Sequence, residues 1–122
     1  MLKKFFLNNN YFFIFAVIIF SFGVNFYYSN IGVMPMDNFV LYNGGYRVLN
    51  GYIPFKDYWL VTGPLLDYLN GFFFLILGTS WKSFIIHSSI FNSLIAVSTY
   101  FIFLEFKLNK LISFLYTSSF SL

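Results

Sequence analysis

The chain has 122 residues, of which 59% are hydrophobic and 9% are charged, and it contains 20 phenylalanines and 10 tyrosines. Soluble domains carry about 25% charged residues, so this composition indicates an integral membrane protein. A net charge of +3 without a Lys/Arg run argues against a nucleic-acid partner. The absence of cysteine excludes disulfides and thiolate chemistry, and a single histidine disfavours a zinc site.

Residues 11–28 form the first long apolar segment, and Lys3 and Lys4 precede it. As a helix this segment would be about 27 Å long, which is enough to cross the hydrocarbon layer of a bilayer. No small-residue cleavage site follows it. The sequence therefore predicts a retained signal anchor rather than a signal peptide.

A helix break is predicted after this segment, because Gly32 and Pro35 follow it. Asp37 suits the N-cap of a new helix that runs to about Asn50, and Gly51 ends that helix. Its apolar side chains lie mainly on one half of the helix surface, and its polar side chains lie mainly on the other half. Because it is too short and too polar to span a membrane, we expect it to lie on the membrane surface.

An extended turn over residues 52–57 separates this helix from a second short helix. The second helix is predicted over residues 65–77; it opens with Pro64 at its first position, and Gly78 closes it as a left-handed cap. Its 13 residues include Asp67 and are too few for a membrane span. The segment is therefore predicted to be interfacial.

Residues 83–104 contain no Asp, Glu, Lys or Arg, with His87 as their one titratable side chain besides tyrosine, and they predict a second span. A stripe of small and polar residues predicts packing against another helix; it comprises Ser88, Asn92, Ala96 and Thr99. Residues 111–122 begin a third apolar segment that is too short to span. We therefore expect the amino-terminal fragment of a longer protein or the product of a truncated gene.

The predicted fold class is an all-α membrane protein with two complete transmembrane helices and a truncated third. An extracytoplasmic loop, residues 29–82, holds the two short interfacial helices. Basic residues concentrate on the cytoplasmic side of membrane proteins. Here four of the seven, Lys3, Lys4, Lys107 and Lys110, would lie inside, and the other three, Arg47, Lys56 and Lys82, lie in the loop. This distribution places the loop outside and predicts a multi-pass protein of the cell inner membrane.

The loop also carries a set of motifs in a characteristic order. Asp37 follows the first span, residues 51–57 read GYIPFKD and match the pattern G-x-x-P-[YF]-x-D, and Gly63-Pro64 opens a helix that ends before Gly78. The set resembles the first extracytoplasmic loop of type-C membrane glycosyltransferases, in the protein-mannosyltransferase, aminoarabinose-transferase and Rgt-like branch. The resemblance covers about residues 11–110.

The resemblance implies an inverting enzyme that transfers a sugar from a polyprenyl-phosphate donor to an acceptor glycan, lipid or protein. It implies that Asp37 is the general base that takes the acceptor proton. Cations should stabilise the departing lipid phosphate. The resemblance leaves a divalent metal open, because some relatives use one and others do not, and it leaves the sugar and the acceptor undetermined.

Two positions depart from the family pattern. Asn38 stands where a second acid often follows the first, and Gly63 stands where the aminoarabinose-transferase branch has a phosphate-binding lysine. Arg47 or Lys56 could replace that lysine, since a guanidinium binds phosphate through two parallel hydrogen bonds. Together with Asp57, they are the predicted substrate-binding residues.

Each candidate also has a structural interpretation. Asp37 could simply cap its helix, and Arg47 could form a surface salt bridge. Asp57 could bond to backbone within its own turn. Asp67, costly in an apolar helix, is predicted to pair with Lys56 or Arg47.

Two other classes of function stay open at this point. One is a non-enzymatic membrane protein, such as part of a transporter or of a lipid-linked-sugar flippase. Such a protein should carry charges or Pro/Gly breaks at the midplane of its spans, whereas the charges here gather outside the spans. The other is a small membrane anchor or non-functional remnant.

Overall fold

The computed structural model describes residues 10–32, 34–60 and 62–121, and the regular elements among them are all helices. In chain order they are α1 (Asn10–Ile31), α2 (Pro35–Leu49), α3 (Leu65–Leu77), α4 (Trp81–Glu105) and α5 (Lys110–Phe120). The predicted all-α class is confirmed for this part of the chain. Lys3 and Lys4, on which the predicted membrane orientation partly depends, lie outside the described residues.

Two of these helices, α1 and α4, are long and apolar enough to cross a membrane, with 22 and 25 residues. The predicted spans, residues 11–28 and 83–104, fall inside them. Charged residues within these helices are confined to the two ends of α4, at Lys82 and Glu105. The α5 helix has 11 residues and begins after Asn109, whose Oδ1 accepts the backbone N–H of Ile112 at 2.8 Å.

The described residues of 10–28 and 88–121 form one compact unit. Its apolar core consists of Phe13 and Val17 from α1 and Ala96 and Tyr100 from α4, and Phe114 of α5 packs against it. Polar contacts extend the same α1–α4 interface, which accounts for the small and polar stripe in the sequence.

The predicted packing role of that stripe is confirmed for three of its four residues. Ser88 Oγ donates to Asn25 Oδ1 at 3.3 Å, Asn92 Nδ2 donates to Ser21 Oγ at 3.1 Å, and Ala96 is buried in the core. Thr99 instead donates to the Ile95 carbonyl of its own helix.

The described residues of 29–87 form the second compact unit, in which α2 packs closely on α3. The α2 helix begins at Pro35 with Met34 as its N-cap, and Asp37 lies in its first turn. The prediction that Asp37 caps this helix is therefore wrong. The physical reason is that proline is preorganised for the first helical position, which moves the N-cap three residues earlier, from Asp37 to Met34.

The ends of the two short helices depend on glycine and proline. Pro64 is the N-cap of α3 rather than its first residue. Gly78 follows α3 with φ 81° and ψ 157°, so its φ is positive, as predicted, but its ψ is extended rather than left-handed helical. The predicted left-handed cap is therefore wrong in its geometry, although the helix ends where predicted.

The end of α2 is a Schellman motif. The Gly51 N–H donates to the Val48 carbonyl at 2.9 Å and the Tyr52 N–H donates to the Arg47 carbonyl at 3.0 Å. Gly51 has φ 85°, a conformation that glycine adopts without steric cost. The motif fixes the point at which the chain leaves α2 and enters the turn that follows.

An aromatic cluster joins α2, α3 and the first turn of α4. The ring of Tyr42 lies 4.9 Å from that of Phe74 and 6.0 Å from each of Trp81 and Phe84, measured between centroids. Trp81 and Phe84 stack at 5.1 Å. The contacts among these four rings connect α2, α3 and the first turn of α4 within the second unit.

Candidate functional site

Glycine allows α2 and α3 to approach each other closely. Gly44 and Gly45 of α2 and Gly71 of α3 are all buried. A Cβ added at Gly44 would overlap the Asp67 carboxyl group, and one at Gly45 would overlap the Cβ of Asn70. One at Gly71 would lie 3.1 Å from Val48 and 3.2 Å from the Gly45 carbonyl. The polar side chains of α3 therefore rest directly on the α2 backbone.

One face of α3 carries these polar groups, since Asp67, Asn70, Gly71 and Phe74 recur at helical spacing and are all buried. Asp67 and Asn70 are each 1% exposed. Asn70 Nδ2 donates to the Leu41 carbonyl at 3.3 Å. Among the described residues, neither Asp67 Oδ1 nor Asn70 Oδ1 has a hydrogen-bond partner. A buried carboxylate with one oxygen unpaired is costly, and an unpaired buried polar group of this kind calls for a structural or functional explanation.

Tyr58 is the hydrogen-bond donor to Asp67. Its hydroxyl donates to Asp67 Oδ2 at 2.7 Å and lies 3.5 Å from the Gly44 carbonyl. Burial, the hydrogen bond to Asp67 and the negative charge of Asp67 raise the pKa of the Tyr58 phenol far above its ordinary value, and the charge of Arg47 opposes this shift. The phenol therefore stays protonated and remains a donor at neutral pH.

The turn that presents Tyr58 is closed by hydrogen bonds of its own. Asp57 Oδ2 accepts the Ile53 backbone N–H at 2.8 Å, and the Phe55 N–H donates to the Tyr58 carbonyl at 2.9 Å. Phe55 has φ 65°, a left-handed conformation that is uncommon for a residue with a side chain. The predicted local role of Asp57 in its turn is thus present in the structure.

An open cleft of about 350 Å³ lies between this turn and the C-terminal half of α2. Two of its lining residues carry opposite charges, Arg47 and Asp57, and the others are polar or aromatic: Asn43, Tyr46 and Tyr52. The Arg47 guanidinium also lies over the Tyr58 ring, with Cζ 4.9 Å from the ring centroid. The cleft thus combines a cation, a carboxylate, an amide and two phenols, a set that can bind phosphate oxygens and sugar hydroxyls.

The structure brings together two of the four residues predicted from the sequence, Arg47 and Asp57. Lys56 is exposed on the same turn but is not among the described residues that line the cleft. Asp37 is exposed in the first turn of α2, about 15 Å from Arg47 along the helix axis. A ligand that contacts both Asp37 and Arg47 must therefore extend along α2.

The predicted ion pair between Asp67 and Lys56 or Arg47 is wrong. Asp67 Oδ2 bonds to Tyr58, and Oδ1 has no hydrogen-bond partner in the described part of the chain. Arg47 contacts the face of Tyr58 instead of the carboxylate. The physical reason is that the missing side chain at Gly44 lets the Asp67 carboxyl pack directly on the α2 backbone, where the Tyr58 hydroxyl reaches it.

Tyr58 and Asn70 were missed by the sequence analysis. The signal for Asn70 was available, because Asp67, Asn70 and Gly71 place polar and small residues at i, i+3 and i+4 of an otherwise apolar helix. Two consecutive glycines inside α2 were the matching signal on its partner helix. Nothing in the sequence singles out Tyr58 from the other nine tyrosines.

The described residues contain no group of three or more His, Cys, Asp or Glu side chains that could hold a metal ion. The donor set of the cleft, with Asp57 as its single carboxylate, does not fit a divalent metal site by itself. In comparisons with known proteins, no family model, no curated protein and no solved structure matches this chain.

Proposed function

We propose that this chain contributes the donor-binding loop of a membrane glycosyltransferase, which transfers a sugar from a polyprenyl-phosphate carrier to an acceptor. The observation that carries the proposal is the cleft in which Arg47 and Asp57 face one space at the end of α2. The motif resemblance of residues 37–78 supports the same chemistry from the sequence.

The cleft offers complementary groups for a sugar phosphate. The Arg47 guanidinium would bind two phosphate oxygens and stabilise the charge that develops on the departing phosphate. Asn43 and Asp57 would bond to sugar hydroxyls, and the rings of Tyr46 and Tyr52 would contact the apolar face of the sugar.

Asp37 takes the role of general base in this proposal, which requires the acceptor and the reacting sugar to extend from the cleft along α2 towards Asp37, because Asp37 and Arg47 lie about 15 Å apart along the helix axis. The acceptor O–H bond breaks as its proton moves to the Asp37 carboxylate, and the acceptor oxygen forms a bond to the anomeric carbon. The bond from that carbon to the phosphate oxygen breaks, and its electron pair leaves with the polyprenyl phosphate. Attack opposite the leaving group inverts the anomeric centre.

The proposed membrane arrangement follows the sequence. The α1 and α4 helices would span the inner membrane, with residues 29–82 on the extracytoplasmic face and α2 and α3 at the interface. Two observations support this arrangement: the length and apolar character of α1 and α4, and the wide exposure of apolar side chains on α3, including Leu65, Phe72 and Leu75. The α5 helix would begin a third span.

A transfer assay tests the proposed function. Membrane vesicles that contain the protein receive a radiolabelled polyprenyl-phosphate sugar, and label is followed into acceptors. Loss of a general base lowers rates by about 10² to 10⁴, so Asp37→Asn should reduce transfer by at least about a hundredfold while the amount of inserted protein stays the same. Glu105→Gln is the matched control, because Glu105 is an exposed carboxylate outside the site. Full transfer activity in Asp37→Asn would overturn the catalytic role.

Donor binding is tested separately with Arg47→Gln. We expect the KM for the donor to rise about tenfold or more, because a charge-assisted bidentate contact is lost. Lys82→Gln is the control, since Lys82 is an exposed cation that does not line the cleft. An equal effect of the two substitutions would indicate general charge attraction and would contradict a specific phosphate contact.

One observation weighs against the alternative of a lipid-linked-sugar flippase or transporter part. Polar side chains line the contact between α1 and α4, including Ser21, Asn25 and Asn92. They are uncharged and bonded to one another, which fits helix packing better than a translocation path. In a flippase, Asp37→Asn would leave movement of the lipid-linked sugar between leaflets unchanged, and no transfer would be found in the wild type.

A further inference from the structure

Tyr58 contacts both Asp67 and Arg47, and these contacts use different parts of its side chain. The hydroxyl donates to Asp67 Oδ2 at 2.7 Å, and the face of the ring lies 4.9 Å from Arg47 Cζ. Tyr58 also directly follows Asp57, the opposite wall of the cleft. The Tyr58 side chain therefore connects the buried carboxylate with the Arg47 guanidinium of the cleft, and its backbone continues from Asp57.

Asp67 is a fixed point for this connection. It is 1% exposed and rests on the α2 backbone at Gly44, where even a methyl group would overlap its carboxyl. Among the described residues, Tyr58 is the hydrogen-bond partner of Oδ2, and Oδ1 has none. A buried carboxylate needs a donor, so this environment holds the Tyr58 hydroxyl in place.

Arg47 needs such a constraint more than the other cleft residues. Its backbone is fixed by the Schellman motif, but its side chain has four rotatable bonds and a large conformational entropy. A guanidinium stacked on an aromatic ring gains cation–π attraction and loses part of that freedom before a ligand arrives. Preorganisation of this kind raises affinity without adding a contact.

We propose that Tyr58 and Asp67 are positioning residues that hold the Arg47 guanidinium in the cleft, ready to bind a phosphate group. Asp67 anchors the Tyr58 hydroxyl, and the Tyr58 ring orients Arg47. This inference rests on the proposed function in one respect, namely that phosphate is the group bound by Arg47. The anchoring of Arg47 itself is independent of the ligand.

The first experiment observes the guanidinium directly. Arg47 is the only arginine in the 122-residue sequence, so arginine-selective ¹⁵N labelling gives a single guanidinium signal in the whole protein. In the wild type we expect restricted motion of the Arg47 Nε–H bond on the picosecond-to-nanosecond timescale and a ring-current shift from Tyr58. Both should be lost in the double variant Tyr58→Leu/Asp67→Leu, which removes the ring. The variant also replaces the carboxylate, because a buried carboxylate without its donor would destabilise the fold.

Two single variants separate the anchor from the ring. Asp67→Leu keeps the Tyr58 ring but removes its acceptor, and it should increase the mobility of the Arg47 Nε–H bond and reduce the ring-current shift of the signal. Asp67→Asn keeps an oxygen for the hydroxyl and should restore the wild-type signal. The matched control is Tyr116→Phe, an exposed tyrosine of the other unit, which should change nothing. Thermal unfolding of each variant shows whether the fold is retained.

The second experiment measures the effect on phosphate binding. Farnesyl phosphate and farnesol share one chain and differ in the phosphate, so the ratio of their affinities reports the contribution of the phosphate contact. We expect the wild type to prefer farnesyl phosphate, and the double variant to lose about two- to tenfold of that preference, the cost of ordering one long side chain when the ligand binds. Farnesol binding should stay unchanged.

The outcomes distinguish the two proposals. A wild-type-like Arg47 signal in the folded double variant, or an Arg47 signal that is already averaged in the wild type, would overturn the positioning role. A fixed Arg47 in a protein that binds farnesyl phosphate no better than farnesol would support the positioning role and overturn the proposed donor binding. Loss of farnesol and farnesyl phosphate binding in equal measure would indicate a general structural role and would also overturn the inference.

Discussion

The two compact units of the chain bury polar side chains between helices in different ways. Between α1 and α4, neutral groups bond to one another across the interface, as Asn25 does with Ser88 and Ser89. Between α2 and α3, a carboxylate is buried against glycine backbone, and one phenol is its hydrogen-bond partner. Neutral pairs need no explanation beyond helix packing. A buried carboxylate is costly, which is why the α2–α3 contact is the more promising place to look for function.

The largest loss of stability is expected where glycine lets α2 and α3 pack closely. A substitution there is the strongest test of the comparison between the two units. Gly45→Ala would place a Cβ on the Cβ of Asn70, which cannot move unless α3 moves. We expect a loss of about 2–3 kcal/mol in the free energy of unfolding, measured by denaturant titration in detergent micelles. Gly23→Ala is the matched control, since nothing lies within 4 Å of its Cβ position in α1, and it should stabilise by about 0.5–1 kcal/mol. Effects of the same sign at the two sites would contradict the close packing of α2 on α3.

A smaller effect is expected when the buried carboxylate loses its donor. Tyr58→Phe removes the hydroxyl that bonds to Asp67 Oδ2 and should cost about 2 kcal/mol, in the range of hydrogen bonds to charged groups. Tyr68→Phe, at an exposed tyrosine of α3, should change stability by less than about 0.5 kcal/mol. If Tyr58→Phe were equally neutral in the same unfolding assay, the Tyr58–Asp67 bond would have no energetic role.

The contact between α1 and α4, whose buried polar groups are neutral, should lose less stability when a hydrogen bond is removed. Asn25→Leu removes the acceptor of Ser88 and Ser89, whose hydroxyls can turn towards carbonyls of their own helix. We expect a cost of about 0.6 kcal/mol, the average for hydrogen bonds between membrane helices. Ser98→Ala, which loses a bond within its own helix, serves as the control. A cost at Asn25 that exceeds the cost at Tyr58 would reverse the comparison between the two units.

The smallest effect concerns pH. Burial and the neighbouring Asp67 raise the pKa of Tyr58 in the folded protein. A raised folded-state pKa means that the stability from the phenol is fully present below the unfolded pKa of about 10 and declines as the pH rises through the folded-state pKa. The stability difference between wild type and Tyr58→Phe should therefore be constant from about pH 6 to 9 and shrink only above about pH 10. A decline between pH 6 and 9 would show that Tyr58 is not the protonated donor.

Local signals in the sequence were enough to predict most of the helices. Residues 65–77 were predicted as a helix and are the helix Leu65–Leu77, because proline and glycine mark both of its ends. The two long apolar segments extend by one to three residues beyond each predicted end, since apolarity marks the middle of a helix better than its termini. Asp37 was misplaced because two start signals compete two residues apart, and Pro35 determines the first turn.

The site was less predictable, because its contacts depend on distances that the sequence does not contain. Arg47 and Asp57 could be proposed from their residue types and from the motif, and both line the cleft. The partner of Asp67 could not be inferred, since an acidic residue in an apolar helix points first to a residue of opposite charge. Its actual partner is a neutral phenol brought into reach by a turn and by the absence of a side chain at Gly44.

The helix α2 ends before Gly51 because of the backbone conformation of this residue, and not because a side chain at this position would lack space. Nothing lies within 4 Å of a Cβ at Gly51, yet its φ of 85° is one that L-residues rarely adopt. A D-alanine at this position would fit both the space and the dihedral angle, and it would reduce the conformational freedom of the unfolded chain. An L-residue would favour one more helical residue, which would rotate Tyr52 by about 100° around the helix axis and away from the cleft. The shape of the cleft therefore depends on one achiral residue.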